Sequence, residues 1–190
     1  MAPPSEYQAF RRTTGSLPHT ISSSTESLPA HLKPTEVLIR IHAVSLNYRD
    51  VAMLNGKYPV PVEERGIAAS DCAAEVVEIG AEVKGFKVGD RVAPIFDTNN
   101  LTGLEDERFT GLGGDEAGVL REYAVFDERV LVRLPGHLSW EEVGRFFCFK
   151  MVMRLIRTQG FHSGMCWRHR MERPQLSRVA QDRSLRPSAG

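Results

Sequence analysis

The sequence predicts a mainly β domain followed by a tail of different character, on three observations. Residues 73–79 and 91–96 are short runs rich in β-branched side chains, and the polar connection between them carries Gly80, Gly85 and Gly89. Two such runs joined by a glycine-containing loop read as adjacent strands. Residues 36–46 alternate with a period of two, the pattern of a half-buried strand. From Gly144 onward nine Arg and one Lys face only Glu172 and Asp182, a local charge of +8 in a chain whose net charge is zero. Two regions so unlike in charge do not share one design.

With 190 residues, 42% hydrophobic and 25% charged, the chain is long enough for one domain with a sizeable core. Cys72, Cys148 and Cys166 are too few and too scattered for a disulfide framework. No early stretch combines a basic start, an apolar run and a small-residue cleavage site. No run of about 18 apolar residues is present, so no membrane span is predicted. A reducing, cytoplasmic setting is the expectation.

Taken in order, residues 8–12 and 19–24 read as short strands separated by Thr14-Gly15-Ser16. In 36–46, Val37, Ile39, Ile41 and Ala43 share one face, with Glu36, Arg40 and His42 off it. Over 47–55 the period changes: Val51 and Leu54 stand at helical spacing and Gly56 marks a stop. Residues 57–65, with Pro59 and Pro61, form an irregular loop. Residues 97–116 are polar, acidic and glycine-rich, a long surface loop. Residues 119–126 and 130–134 read as two more strands. Ser139 and Glu142 form a capping box that opens a helix, with Leu138 and Val143 as its hydrophobic staple. Residues 144–157 can continue that helix. Beyond Thr158 the chain is too poor in apolar residues to offset the entropy of ordering, so disorder is expected.

The segment from Glu75 to Val92 resembles the core signature of the medium-chain dehydrogenase/reductase superfamily, in its GroES-like N-terminal domain. Glu75-Val76-Val77-Glu78-Ile79-Gly80, Val83, Phe86 and Gly89-Asp90-Arg91-Val92 fit the family spacing without a gap. Cys72 and Ala74 depart from it, at positions where the family has small residues, mostly glycine. The segments R-I-H-A-V-S-L-N-Y-R-D, V-L-R-E-Y-A-V-F and L-P-G-H-L-S-W-E-E follow in the family's order. The resemblance implies a partly open β-barrel with short helices over residues 8–143. It ends beyond Cys148, and 144–190 reads as an atypical basic tail holding no cofactor-binding domain. The abrupt break suggests an out-of-frame or alternatively spliced end.

The resemblance also locates the candidate chemistry. Many relatives bind zinc through a Cys in C-x-x-D and a His-Glu pair. The matching positions here are Asn47-Tyr48-Arg49-Asp50 and Ser70-Asp71, and no four-Cys lobe occurs between residues 97 and 118. An amide and a hydroxyl are poor zinc ligands, so no metal site is expected there. Cys148, His162, Cys166 and His169 fit no common zinc spacing. The N-Y-R-D form resembles the zinc-free quinone and enoyl reductase branch. In that branch the protein positions a carbonyl, enone or quinone against the nicotinamide of NADPH or NADH and donates hydrogen bonds to the developing oxyanion. The resemblance assigns that role to Asn47 and Tyr48, with Tyr48 also able to deliver a proton. Asp50 orients its neighbours, and Ser70 lines the same pocket. By position alone, an Asn-Tyr pair at a helix start is equally a cap.

Gly111-Leu112-Gly113-Gly114-Asp115-Glu116 is not a dinucleotide fingerprint. Glu116 stands where the third glycine belongs, no strand precedes it, and acids surround it. No cofactor is therefore expected on this chain alone. The basic tail carries no nucleic-acid motif. Three readings follow: the catalytic half of a reductase, inactive by itself; a binding module that pairs with a full-length relative or with its own copy; and a co-chaperonin. The N-Y-R-D segment and the long acidic loop argue against the last.

Overall fold

In the computed structural model, residues 3–102 and 110–142 are described. Among them are seven strands, one complete α-helix, the first turn of a second at residues 140–142, and one 3-10 turn. In chain order these are β1 (Glu6–Arg12), β2 (Ile21–Ser27), β3 (Glu36–Ser45), α1 (Tyr48–Leu54), β4 (Asp71–Ile79), β5 (Arg91–Pro94), β6 (Tyr123–Asp127), the 3-10 turn Glu128–Val130, and β7 (Leu131–Arg133). The mainly β expectation holds. Five strands form an antiparallel curled half-barrel in the order β6-β3-β4-β5-β7, and β1 pairs with β2 in a separate ribbon. The expected helix beginning at Trp140 starts as predicted: the Ser139 amide donates to Glu142 Oε2 at 2.8 Å, and the Glu142 amide donates to Ser139 Oγ at 3.1 Å. Val143, the tail from 144, and the boundary between them lie outside the described residues.

The strand β3 is the spine of the sheet because its apolar residues serve both neighbours. It pairs with β4 from Val37↔Ile79 to Ser45↔Asp71, and with β6 from Glu36↔Asp127 to Arg40↔Tyr123. Val37, Ile39, Val76, Val92 and Val119 are fully buried in one cluster. Burying each such side chain contributes roughly 1.5–3 kcal/mol. The simple alternation expected across β3 fails in its second half. A register shift between Ile41 and Ala43 turns Ala43 to a second cluster with Ala73, Ala93 and Leu134, while Ile41 and Val44 stay against the first. An extra residue in one strand reverses the faces that follow it.

Other boundaries move for local reasons. The second strand runs Ile21–Ser27 rather than 19–24. The His19 amide is drawn to the Leu54 carbonyl at 2.8 Å and the Thr20 amide to Thr13 Oγ1 at 2.9 Å, while residues 25–27 pair with 6–8. The strand expected over 119–126 is divided. Val119 and Leu120 donate to the carbonyls of Ala69 and Ala68, both at 2.9 Å, and only Tyr123–Asp127 joins β3. The ribbon is tied on at the same place, where the Phe10 amide donates to the Leu120 carbonyl at 2.9 Å and the Arg12 amide to the Gly66 carbonyl at 3.1 Å. Among the described residues no helix is long and apolar enough to cross a membrane.

Candidate active site at the start of the helix

Helix α1 begins where the curled sheet delivers β3 to its end. Asn47 is the N-cap, in extended conformation (φ −134°). Its Oδ1 accepts from the Arg49 amide at 2.9 Å, and Asp50 Oδ2 accepts in return from the Asn47 amide at 2.9 Å. Such a reciprocal cap satisfies two donors that the first turn leaves open. Asp50 is buried and uses its second oxygen on the Ala69 amide at 3.2 Å. That contact turns the helix: Asp50, Ala52 and Met53 face inward, whereas Val51, expected on the apolar side, is 52% exposed.

The site therefore joins three of the four candidate residues. Asn47 Nδ2 donates to Asp71 Oδ2 at 3.3 Å, and Ser70 Oγ donates to the same oxygen at 2.8 Å. Asp50 reaches the group through Asn47 and Ala69. Tyr48, the fourth, has no part in these hydrogen bonds and is 71% exposed. Burial pushes the Asp71 carboxyl above its ordinary range, opposed by the Ser70 hydrogen bond and reinforced by the charge of Asp50. Cys72, one residue on, is fully buried, which pushes its thiol up to about 12. It stays protonated and unreactive at neutral pH.

Two arginines that the sequence reading did not single out build the wall behind this group. Arg49 Nε donates to Tyr58 Oη at 3.0 Å and its Nη1 to the Leu112 carbonyl at 2.9 Å. The guanidinium carbon lies 4.7 Å from the Phe96 ring centroid and 5.3 Å from that of Tyr58. Arg12 is buried and donates to the carbonyls of Gly113 at 2.6 Å, Gly114 at 3.2 Å and Glu63 at 3.1 Å. Burial lowers its basicity. The signal for Arg49 was its place inside N-Y-R-D, and that for Asp71 its place beside Ser70. Arg12 gave none beyond sitting at the inward end of β1.

These contacts correct the expectation of a surface loop over 97–116 for part of its length. Gly111 to Gly114 are buried, and Leu112 belongs to the main core. Residues 103–109 lie outside the described residues. The glycine run also shows why it is no phosphate cradle. The amides of Gly111, Leu112, Gly113 and Gly114 already donate to Asp115 Oδ1 and to the carbonyls of Phe96, Glu116 and Gly111. Its carbonyls, not its amides, face the arginines. A dinucleotide pyrophosphate needs free amides, so this segment does not fit one.

Residues 33–136 match the family model of the alcohol dehydrogenase GroES-like domain. A zinc-type alcohol dehydrogenase-like protein of Schizosaccharomyces pombe is 39% identical over 123 residues, covering 64% of this chain and 36% of that protein. A quinone oxidoreductase of Pseudomonas aeruginosa is 36% identical over 114 residues, 60% of this chain and 29% of its own length. Among solved structures, the 2R,3R-butanediol dehydrogenase of Bacillus subtilis superposes with a TM-score of 0.67 at 27% identity, over 83% of this chain and 49% of that one. The chain thus spans about a third of the length of these curated relatives. A zinc ion does not fit the residues at this site. Asn47 Oδ1 is held by the Arg49 amide and Ser70 directs its proton to Asp71. Among the described residues no three His, Cys, Asp or Glu side chains converge.

Proposed function

The chain belongs to the alcohol dehydrogenase GroES-like domain family, and from that premise we propose that it is the substrate-facing part of an NAD(P)H-dependent medium-chain oxidoreductase that works without zinc. The observation that carries this reading is the Asn47–Asp71–Ser70 hydrogen-bonded group at the N-terminus of α1, built from an amide and a hydroxyl at the positions where metal-dependent relatives place ligands. The substrate class is a small carbonyl compound, enone or quinone.

In this reading Asn47 holds the substrate oxygen. Its amide nitrogen carries two protons, one of which is directed to Asp71, and the other is available to a developing oxyanion. Asp71 fixes the amide so that nitrogen, not oxygen, faces that charge. Asp50 anchors the Asn47 backbone, and Ser70 holds Asp71 from the other side. Tyr48, exposed beside them, supplies a second hydrogen bond or a proton from its phenol. The nicotinamide supplies the hydride when bound. We place its site in a cofactor domain following a boundary near residue 143, because the glycine run at 111–114 has no free amides.

A second reading has the same domain as a non-catalytic module that pairs with a full-length relative. Leu46, Tyr48 and Val51, which are 66%, 71% and 52% exposed around the start of α1, favour it, since clustered exposed apolar groups mark contact surfaces.

Titration of the 190-residue chain with NADPH and NADH, followed by assays on quinones, enones and aldehydes, tests the first reading. The expected result is no cofactor binding at micromolar concentration and no turnover until a cofactor domain is joined after residue 143. Micromolar binding by the chain alone overturns the assignment of the cofactor to another domain. A joined protein without turnover favours the module.

A further inference from the structure

Residues 135–142 lie on the face of the sheet opposite the main core. Leu134, Ala73 and Ala93 form the small buried cluster there, and Leu138 and Trp140 pack against it. Apolar contact alone does not describe how Trp140 is held. The His42 ring, from β3, stacks on it at 4.2 Å with an interplanar angle of 10°. The Arg91 guanidinium, from β5, lies 3.8 Å from its ring centroid. β3 and β5 flank β4 in the sheet, so Trp140 is gripped from the two strands on either side of β4. The same Arg91 donates through Nη1 to the carbonyls of Gly136 at 3.2 Å and Leu138 at 2.6 Å. His42 is itself fixed by Glu75 Oε2 at 3.2 Å.

One guanidinium therefore holds both the backbone that approaches the helix and the ring that opens it. A planar, five-donor group can stack and donate at once, whereas a lysine cannot. We propose that residues 135–142 are a strap, and that the grip of Arg91 and His42 on Trp140 fixes the place and register at which the chain leaves the sheet. The capping box of Ser139 and Glu142 shapes the first turn of the helix. The grip sets where that turn stands against β3 and β5.

Backbone 15N order parameters of the full chain test it, since they read the mobility of the strap directly. In Arg91→Met the values over residues 136–142 are expected to fall from the rigid range, about 0.85, to below about 0.6, with those of Val37, Ile39 and Val76 in β3 and β4 unchanged. Ser139→Ala is expected to loosen only residues 140–142. Trp140→Phe, which keeps a ring for the cation and the imidazole, is expected to stay in the rigid range. Trp140→Leu, apolar but without a ring, is expected to behave as Arg91→Met does. If Arg91→Met also loosens Val37 and Val76, it has unfolded the sheet, and the Phe–Leu comparison at residue 140 decides. Equal order parameters in Trp140→Leu and Trp140→Phe, or loosening of all of 136–142 by Ser139→Ala, overturns the proposal.

Discussion

Asn47 Nδ2 and Asp71 Oδ2 lie 3.3 Å apart, joining the cap of α1 to the first residue of β4 across the mouth of the half-barrel. The pair links a structural duty to the chemical one proposed for the site. Asn47 Oδ1 caps the helix while its nitrogen is aimed by Asp71. Asn47→Ala is expected to destabilise the chain by about 1 kcal/mol, the usual value of an N-cap. Asn47→Asp keeps the cap but sets a second carboxylate against Asp71. It should be more destabilising at pH 7 than at pH 4, as read by chemical denaturation at both values.

Asp71 gives a pH dependence of definite sign. Its folded-state carboxyl is pushed up by burial, so the folded chain holds that proton more tightly than the unfolded chain does. Stability therefore falls as pH rises from the ordinary Asp range through the raised folded value, and is level above it. Asp71→Asn retains an acceptor for Ser70 and Asn47 without the charge. It should raise the melting temperature at pH 7 and have no stabilising effect near pH 3. The opposite sign of the difference contradicts the burial argument.

Ala69 is a fully buried residue in left-handed conformation (φ 65°), at the position that precedes the family's His-Glu pair. A Cβ there opposes the backbone, and a left-handed alanine costs about 1–2 kcal/mol. Ala69→Gly is expected to stabilise the chain by about 1 kcal/mol after the added freedom of the unfolded chain is set against it. Gly118 is the counterpart. A Cβ on it would fall inside contact distance of the carbonyl oxygens of Ala69, Ala68 and Ile67, all backbone atoms that cannot give way. Gly118→Ala should destabilise by about 3 kcal/mol. Denaturant midpoints of the two variants, moving in opposite directions, check both.

Much of this was legible in the residues. The spacing from Glu75 to Val92 located β4, β5 and their loop, because strand runs and turn glycines are local signals. The capping role of Asn47 was legible for the same reason. Asp71 and Arg49 were visible in their motifs, but their partners were not: Asp71 meets Asn47 from 24 residues away, and Arg49 meets Leu112 from 63 away. Tertiary contacts of that kind leave no periodicity. Leu112 looked like loop because it sits among glycines and acids. It is core because Arg12 and Arg49 pull the carbonyls of that segment inward. The face of Ala43 was misread because a register shift in β3 carries no residue signature.

Elemental analysis of the purified chain is expected to find zinc well below one per chain, and Asn47→Ala or Ser70→Ala should leave that content unchanged. One zinc per chain that is lost in either variant contradicts the reading of Asn47 and Ser70 as non-ligands.

The most direct measurement is NADPH consumption with an enone or quinone by the domain joined to a cofactor domain after residue 143, with and without a strong zinc chelator. The expected turnover is unchanged by the chelator and falls by about 10²–10³ in Asn47→Ala, the usual effect of removing one oxyanion donor. Turnover abolished by the chelator, or left intact by Asn47→Ala, contradicts that expectation.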